Sequence, residues 1–289
     1  DVDLEPRELV RHLQLLLGVV LLISNISSAQ TSPALFETAV APQAASRIDE
    51  LVFNKQQQLG IQPANLCSDG VFVRRVYLDV IGTLPTAQEA SDFILSQKPD
   101  KRRVLVDRLL ERDEFADYWA MKWSDLLRVK AEFPINLWPN AAQAYHRWIL
   151  ESVRANKSYE QFARALLTSS GSNFRVGPVN FYRAMQNREP EGIAQTVALT
   201  FMGARVDKWP AEKLAGMTAF FSKVGAKSTG EWKEEIIYFD PAKTNAVPFA
   251  PVFPDGQGAT SSLSQDPRTI FADWLINPKN PWFTRNIAN

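Results

Sequence analysis

The chain has 289 residues, 45% hydrophobic and 11% aromatic, a globular composition rather than a disordered one. Lys+Arg and Asp+Glu each number 32, so the formal charge is zero and the basic excess of a nucleic-acid binder is missing. A single cysteine, Cys67, excludes an intrachain disulfide, a Cys-x-x-Cys zinc site and a covalent haem link through two thioethers.

Leu13 to Ile23 is apolar except for Gln14 and Gly18, too short for the ~20 residues that span a bilayer. Arg7, Arg11 and His12 precede it, and Ser27-Ser28-Ala29 follows. This pattern predicts a signal peptide over 1–29, cleaved before Gln30, with a buried helix as the alternative. The expected location is therefore periplasmic or extracellular. No cysteine follows the run for a lipid anchor, and no membrane span is expected in the mature chain.

Residues 30–46 read as a flexible lead-in. A first helix is predicted over Arg47 to Leu59, closed by Gly60. Asp69 reads as the N-cap of a helix with Val73, Val76, Tyr77 and Val80 on one face, broken by Gly82 and Pro85. Thr86 and Glu89 have capping-box spacing, worth about 1 kcal/mol, ahead of a helix that buries Phe93 and Ile94. Lys101-Arg102-Arg103, among Asp100, Asp107 and Glu111, reads as a solvated helix face. Leu105, Val106, Leu109 and Leu110 form the next stripe. Phe115, Trp119 and Trp123, continued by Leu126 and Leu127, fall on one helix face. Core packing is the expected role of that face, and a sugar- or haem-packing platform is the alternative.

Phe133 to Pro139 reads as an extended connection. Tyr145, Trp148, Ile149 and Val153 mark a helix, and Ser158 with Gln161 repeats the capping-box spacing before another. Residues 168–180 read as a loop. Two further helices are predicted over Ile193 to Met202 and Ala211 to Val224, the latter after Pro210. Ile236 to Phe239 is the best strand candidate. Residues 241–265 read as a linker, after which Asp266-Pro267 caps a helix carrying Ile270, Phe271, Trp274 and Leu275. The expected fold class is mainly α, a multi-helix globular domain with long loops and at most a few short strands.

Candidate chemistry is sparse. His12 lies in the leader, and His146 sits in an amphipathic helix, where a surface role is expected. Cys67 reads as a small, partly buried thiol. No Asp-x-Asp-x-Asp-Gly spacing points to calcium. The loop Ser169-Ser170-Gly171-Ser172-Asn173, followed by Arg175, could receive an anion through backbone N–H groups, although a plain interhelical loop is preferred. Trp232-Lys233-Glu234-Glu235 offers paired carboxylates for acid–base work. Neighbours on a strand point to opposite faces, so a structural role is preferred there too. No catalytic residue, cofactor-binding residue or metal ligand is assigned, and no cofactor is expected.

Several stretches carry a family resemblance together: VFVRRVYLDVIGTLPTAQE (71–89), DKRRVLVDRLLERDEFADYWAMKWSDLLRV (100–129), YEQFARALLTSSGSNF (159–174), TVALTFMGARV (196–206) and Trp209 with AFFSKVG (219–225). They resemble the planctomycete-type cytochrome-associated domain of unknown function, here covering 47–240. The stretch DPRTIFADWLINPKNPWFTRNIAN (266–289) resembles the truncated start of the second uncharacterised domain that usually follows. The resemblance implies an exported multidomain protein of planctomycetes or verrucomicrobia. Many relatives carry Cys-x-x-Cys-His after the Phe-Met-Gly segment, whereas here Phe201-Met202-Gly203 runs through Ala204 to Lys208 directly into Trp209. Without two cysteines and a histidine, c-type haem cannot attach by that route. The expected function is a non-enzymatic structural or interaction module, partnered by other domains or proteins of an exported assembly and not by nucleic acid. The alternatives are electron transfer with haem on another domain, and a hydrolase or binder of surface polysaccharide.

Overall fold

The computed structural model describes residues 35–243, 250–259 and 265–288. The predicted signal peptide over 1–29 lies outside them, as do the first residues of the lead-in and part of the 241–265 segment. The chain is mainly helical with one small sheet, as expected. The described residues form two compact units, 35–77 with 84–102, and 78–83 with those from 103 onward. Among the described residues no helix is long and apolar enough to cross a membrane.

In the first unit, α1 (Arg47–Gln58) begins where the Ser46 hydroxyl accepts from the Asp49 N–H at 3.3 Å. It ends ahead of Gly60, whose φ of 67° suits a residue without Cβ. Ser68, not Asp69, caps α2 (Asp69–Ile81), accepting from the Val71 N–H at 3.4 Å. The Asp69 carboxylate turns instead to Lys101 at 2.7 Å and Arg102 at 2.8 Å. Arg102 also donates to the Cys67 carbonyl and lies over the Phe72 ring, which stacks on Phe93. The basic triplet is thus only partly a solvated face: Arg103 is exposed, while its two neighbours are tied into the unit. Both halves of the capping box form at α3 (Ala87–Leu95), with Glu89 N–H donating to Thr86 and Thr86 N–H donating to Glu89. Phe93 is buried but Ile94 is exposed, because consecutive helical residues lie about 100° apart. The same geometry in α4 (Lys101–Leu110), which belongs to the second unit from Arg103 on, buries Leu105 and Leu109 and leaves Leu110 out.

The second unit contains α5 (Asp113–Leu126), α6 (Trp138–Arg154), α7 (Tyr159–Thr168), α8 (Asn180–Arg183), α9 (Pro190–Met202) and α10 (Ala211–Thr218). Two helices, α11 (Pro267–Leu275) and α12 (Pro281–Ala288), close the described chain, and the last of them was not expected. The core is built from one face of each long helix: Ala141, Tyr145 and Ile149 of α6, Phe162 and Leu166 of α7, Val197 and Phe201 of α9. Each large apolar side chain so buried contributes about 1.5–3 kcal/mol. Phe271 of α11 packs on Phe220 and Phe221, and Trp274 on Phe253. Residues 250–259 and 266–288 therefore share the core of this unit.

The sheet orders its strands β1 (Gly171–Ser172), β3 (Glu235–Phe239), β2 (Val224–Ser228), all antiparallel. Two expectations are corrected here. The helix over Ala211 to Val224 stops at Thr218, passes through a 3-10 turn, and gives way to β2, where Val224 pairs with Phe239. The loop 168–180 contains β1 and a 3-10 turn at Gly177–Val179. Pairing decides both, because Ile237 is buried only if a strand lies on each side of β3. Gly225 fits this arrangement, since a Cβ there would meet the Tyr238 ring at 2.9 Å.

The connection over Phe133 to Pro139 is not extended either. Asn136 and Trp138 have φ of 55° and 66°, and a cis peptide joins Phe133 to Pro134. Asn136 N–H donates to the Glu132 carbonyl at 2.8 Å and Trp138 N–H to the Ala131 carbonyl at 3.1 Å, folding the segment into a tight turn. Pro139 falls in the first turn of α6, where its missing N–H costs nothing.

Candidate functional site

A polar cleft of about 680 Å³ opens beside this turn. Its walls come from the 134–138 turn, the stretch after α8, and the β2–β3 connection. Volumes of this order suit small ligands. The β2–β3 connection is shaped by Glu234, which is buried although it ends a surface turn. Its carboxylate accepts from the Ser172 hydroxyl and from Thr229 Oγ1 at 2.7 Å, with Arg175 Nε 3.7 Å away. The hydroxyls of Ser172 and Thr229 hold this carboxyl below the usual carboxylate range. The Ser/Asn-rich loop thus does receive an anion, but the anion is Glu234 and the donor is a side-chain hydroxyl.

Glu235, the first residue of β3, faces different partners. Arg188 Nη1 donates to Glu235 Oε2 at 2.8 Å, and Arg183 Nη1 forms an ion pair with the same oxygen at 2.9 Å. Asn173, fully buried, fixes the backbone between the two acids by accepting from Glu235 N–H at 2.9 Å and donating to the Lys233 carbonyl at 3.3 Å. Both carboxylates line the cleft, yet each is clamped by its own set of donors. Burial pulls the Arg183 guanidinium below its ordinary value, and the Glu235 carboxylate opposes that pull. The Arg183 side chain is only 10% exposed, and its Nε–H is buried with no acceptor among the described residues.

Aromatic rings form the outer part of the cleft. Trp138 and Trp232 meet edge to face, with centroids 4.8 Å apart, and Lys233 Nζ lies 4.9 Å from the Trp138 ring centre. Trp232 is 70% exposed. Lys233 has a φ of 64°, so three left-handed non-glycine residues, Asn136, Trp138 and Lys233, border one cavity. A left-handed tryptophan is disfavoured by its Cβ, and such strain concentrates at ligand sites.

A second cavity, apolar and about 370 Å³, is lined by the α5 aromatic face. Trp123 packs on Tyr159 and Phe162, as core packing requires. Trp119 is 38% exposed and donates its indole N–H to the Val80 carbonyl at 3.1 Å. The face is therefore divided between core and surface, with Leu127 buried and Leu126 exposed.

Of the sequence candidates, the structure brings together Ser172, Asn173, Arg175, Glu234 and Glu235, with Trp232 and Lys233 at the rim. Cys67 is half-buried in the first unit, and its backbone bridges to Glu37. His146 is exposed on α6. Trp138, Arg183 and Arg188 carried no local sequence signal: each becomes a cleft residue only through the pairing of β3. Among the described residues no group of His, Cys, Asp or Glu side chains is placed to hold a metal ion.

A mainly helical unit with this small sheet and cleft defines the class of protein. The chain belongs to the PSCyt2 family, a protein family of unknown function (DUF1549), which matches residues 47–225. No curated protein and no solved structure matches it. The cytochrome association in the family's name raises c-type haem, and the residues present do not fit that group. Ala204 to Lys208, after the Phe201-Met202-Gly203 segment, offers no thiol, and Cys67 alone cannot make two thioethers.

Proposed function

We propose that this chain is a non-enzymatic extracytoplasmic interaction module of a larger exported bacterial protein, and that its contact surface is the Trp138/Trp232 cleft. The cleft carries the reading: the exposed Trp232 ring, packed on Trp138, and Arg183, whose buried Nε–H has no acceptor among the described residues, line one cavity. Interaction sites favour exposed Trp and Arg for this reason, since one supplies area and the other directed hydrogen bonds. The carboxylates support binding over catalysis. A general acid at neutral pH needs its pKa raised, whereas Glu234 is shifted down, and Glu235 is occupied by two guanidinium groups.

The test uses the full-length protein in its native cell, with a photo-crosslinking residue at 232 and, separately, at the exposed Gln58. Capture of a second macromolecule at 232 and not at 58 is the expected result. Absence of capture at 232, or equal capture at both positions, overturns the reading.

Export rests on the apolar run over 13–23, its basic flank and the small residues before Gln30. Deleting residues 1–29 should leave the protein inside the cell in a fractionation assay. Undiminished export of the deleted form would refute it.

A further inference from the structure

We propose that the cleft binds a neutral saccharide chain, a ligand class that rests on the cleft being the interaction site. The first support is charge balance. Arg183, Arg188 and Lys233 face Glu231, Glu234 and Glu235 around one cavity, three cations against three anions. Such a lining has no net field to draw in an ion, but it offers donors and acceptors side by side. A polyol matches it, because each hydroxyl donates one hydrogen bond and accepts others.

The second support is the unmatched donor. Arg183 lines the cleft, and its Nε–H is buried with no acceptor among the described residues. A buried unsatisfied donor carries a desolvation cost that a ligand oxygen removes. A sugar hydroxyl reaches this N–H once the side chains covering it shift, and it leaves Glu235 on the Arg183 Nη1 atom.

The aromatic rim is the third. Tryptophan faces are electron-rich, and the axial C–H groups of a pyranose ring are weakly positive, so the two stack. Trp232 stands exposed for such a contact, with Trp138 and Lys233 packed against its ring. The left-handed backbone at Trp138 and Lys233 holds both side chains at the rim before any ligand arrives. Rings held in place lose less entropy on binding.

The experiment is calorimetric titration of the intact protein with cellohexaose, xylohexaose and mannohexaose, with trigalacturonate as the anionic comparator. Saturable binding of at least one neutral oligomer is expected, with little or none for trigalacturonate. Trp232→Ala should weaken that binding by about tenfold or more. Trp232→Phe should recover most of it. The exposure of residue 232 makes both variants compatible with folding, checked by unchanged thermal unfolding. No binding of any neutral oligomer, preference for trigalacturonate, or binding indifferent to Trp232→Ala each overturns the saccharide assignment. If photo-crosslinking at 232 still captures a polypeptide, the ligand class falls and the interaction site stands.

Discussion

Arg268→Ala is expected to lower the unfolding free energy by about 3–5 kcal/mol, the scale of breaking a buried ion pair from one side. Arg268 is 1% exposed, the most deeply buried cation among the described residues. Its guanidinium spans three groups. It forks onto Asp266, with Nη2 to Oδ2 at 2.7 Å and Nε to Oδ2 at 3.0 Å. Nη1 donates to the Ser169 carbonyl at 3.1 Å, and Nη2 to the Ser170 hydroxyl at 2.9 Å. The same carboxylate accepts from the Arg268 N–H and so caps α11. Removing the guanidinium strands Asp266 and leaves the end of α7 without its donor. Arg268→Lys should recover only part of the loss, because an ammonium cannot reproduce the fork. Urea unfolding followed by tryptophan fluorescence reads both variants. An Arg268→Ala midpoint equal to that of the parent chain would contradict this account.

Raising the pH should weaken the fold through its buried tyrosines. Tyr159 is stacked between Trp123 and Phe283, and burial pushes its phenol up to about 12, with a smaller opposing effect from Asn286. In the unfolded chain the same phenol titrates near 10, so above that pH the unfolded state loses its proton first. Stability from this group is fully present below about pH 10 and is lost as the pH rises toward about 12. Near pH 11.5 the loss from Tyr159 is about 2 kcal/mol. Burial raises Tyr145 and Tyr182 as well, adding in the same direction. Urea midpoints at pH 9 and pH 11.5 check the sign, and Tyr159→Phe should reduce the difference. A midpoint that rises with pH over this window would count against the burial of these rings.

Part of the chemistry set within one helical turn was legible, but α2 is capped by Ser68 rather than Asp69 and the 133–139 segment folds into a tight turn rather than an extended one. The capping box at Thr86 and Glu89 and the cap at Asp266 need only a fixed short spacing. Predicted faces were less complete. Phe93, Leu105 and Leu109 are buried as their spacing implies, but Ile94, Leu110 and Leu126 are exposed. Each stands next to a buried residue, and periodicity does not say how wide a face the neighbouring elements will cover. In the candidate site, Trp232 to Glu235 and the Ser169–Asn173 loop attracted notice by composition, while Trp138, Arg183 and Arg188 did not. The Asn173–Glu235 hydrogen bond joins residues 62 apart in sequence, so no local pattern could join the two stretches.

The sequence by itself determined a mainly helical globular chain, with the starts of α3, α7 and α11 written in their caps. It determined the family too, through motifs spread from residue 47 to 225. It also excluded a haem link through two thioethers within these residues, because such attachment depends on residue identity and not on geometry. Tertiary structure alone decided that Val224 to Ser228 is a strand and that Arg183 is buried against Glu235. The reason is common to both: β-pairing and burial are settled between segments far apart in the chain. Spacing within a segment records which face is apolar, but not which partner will cover it.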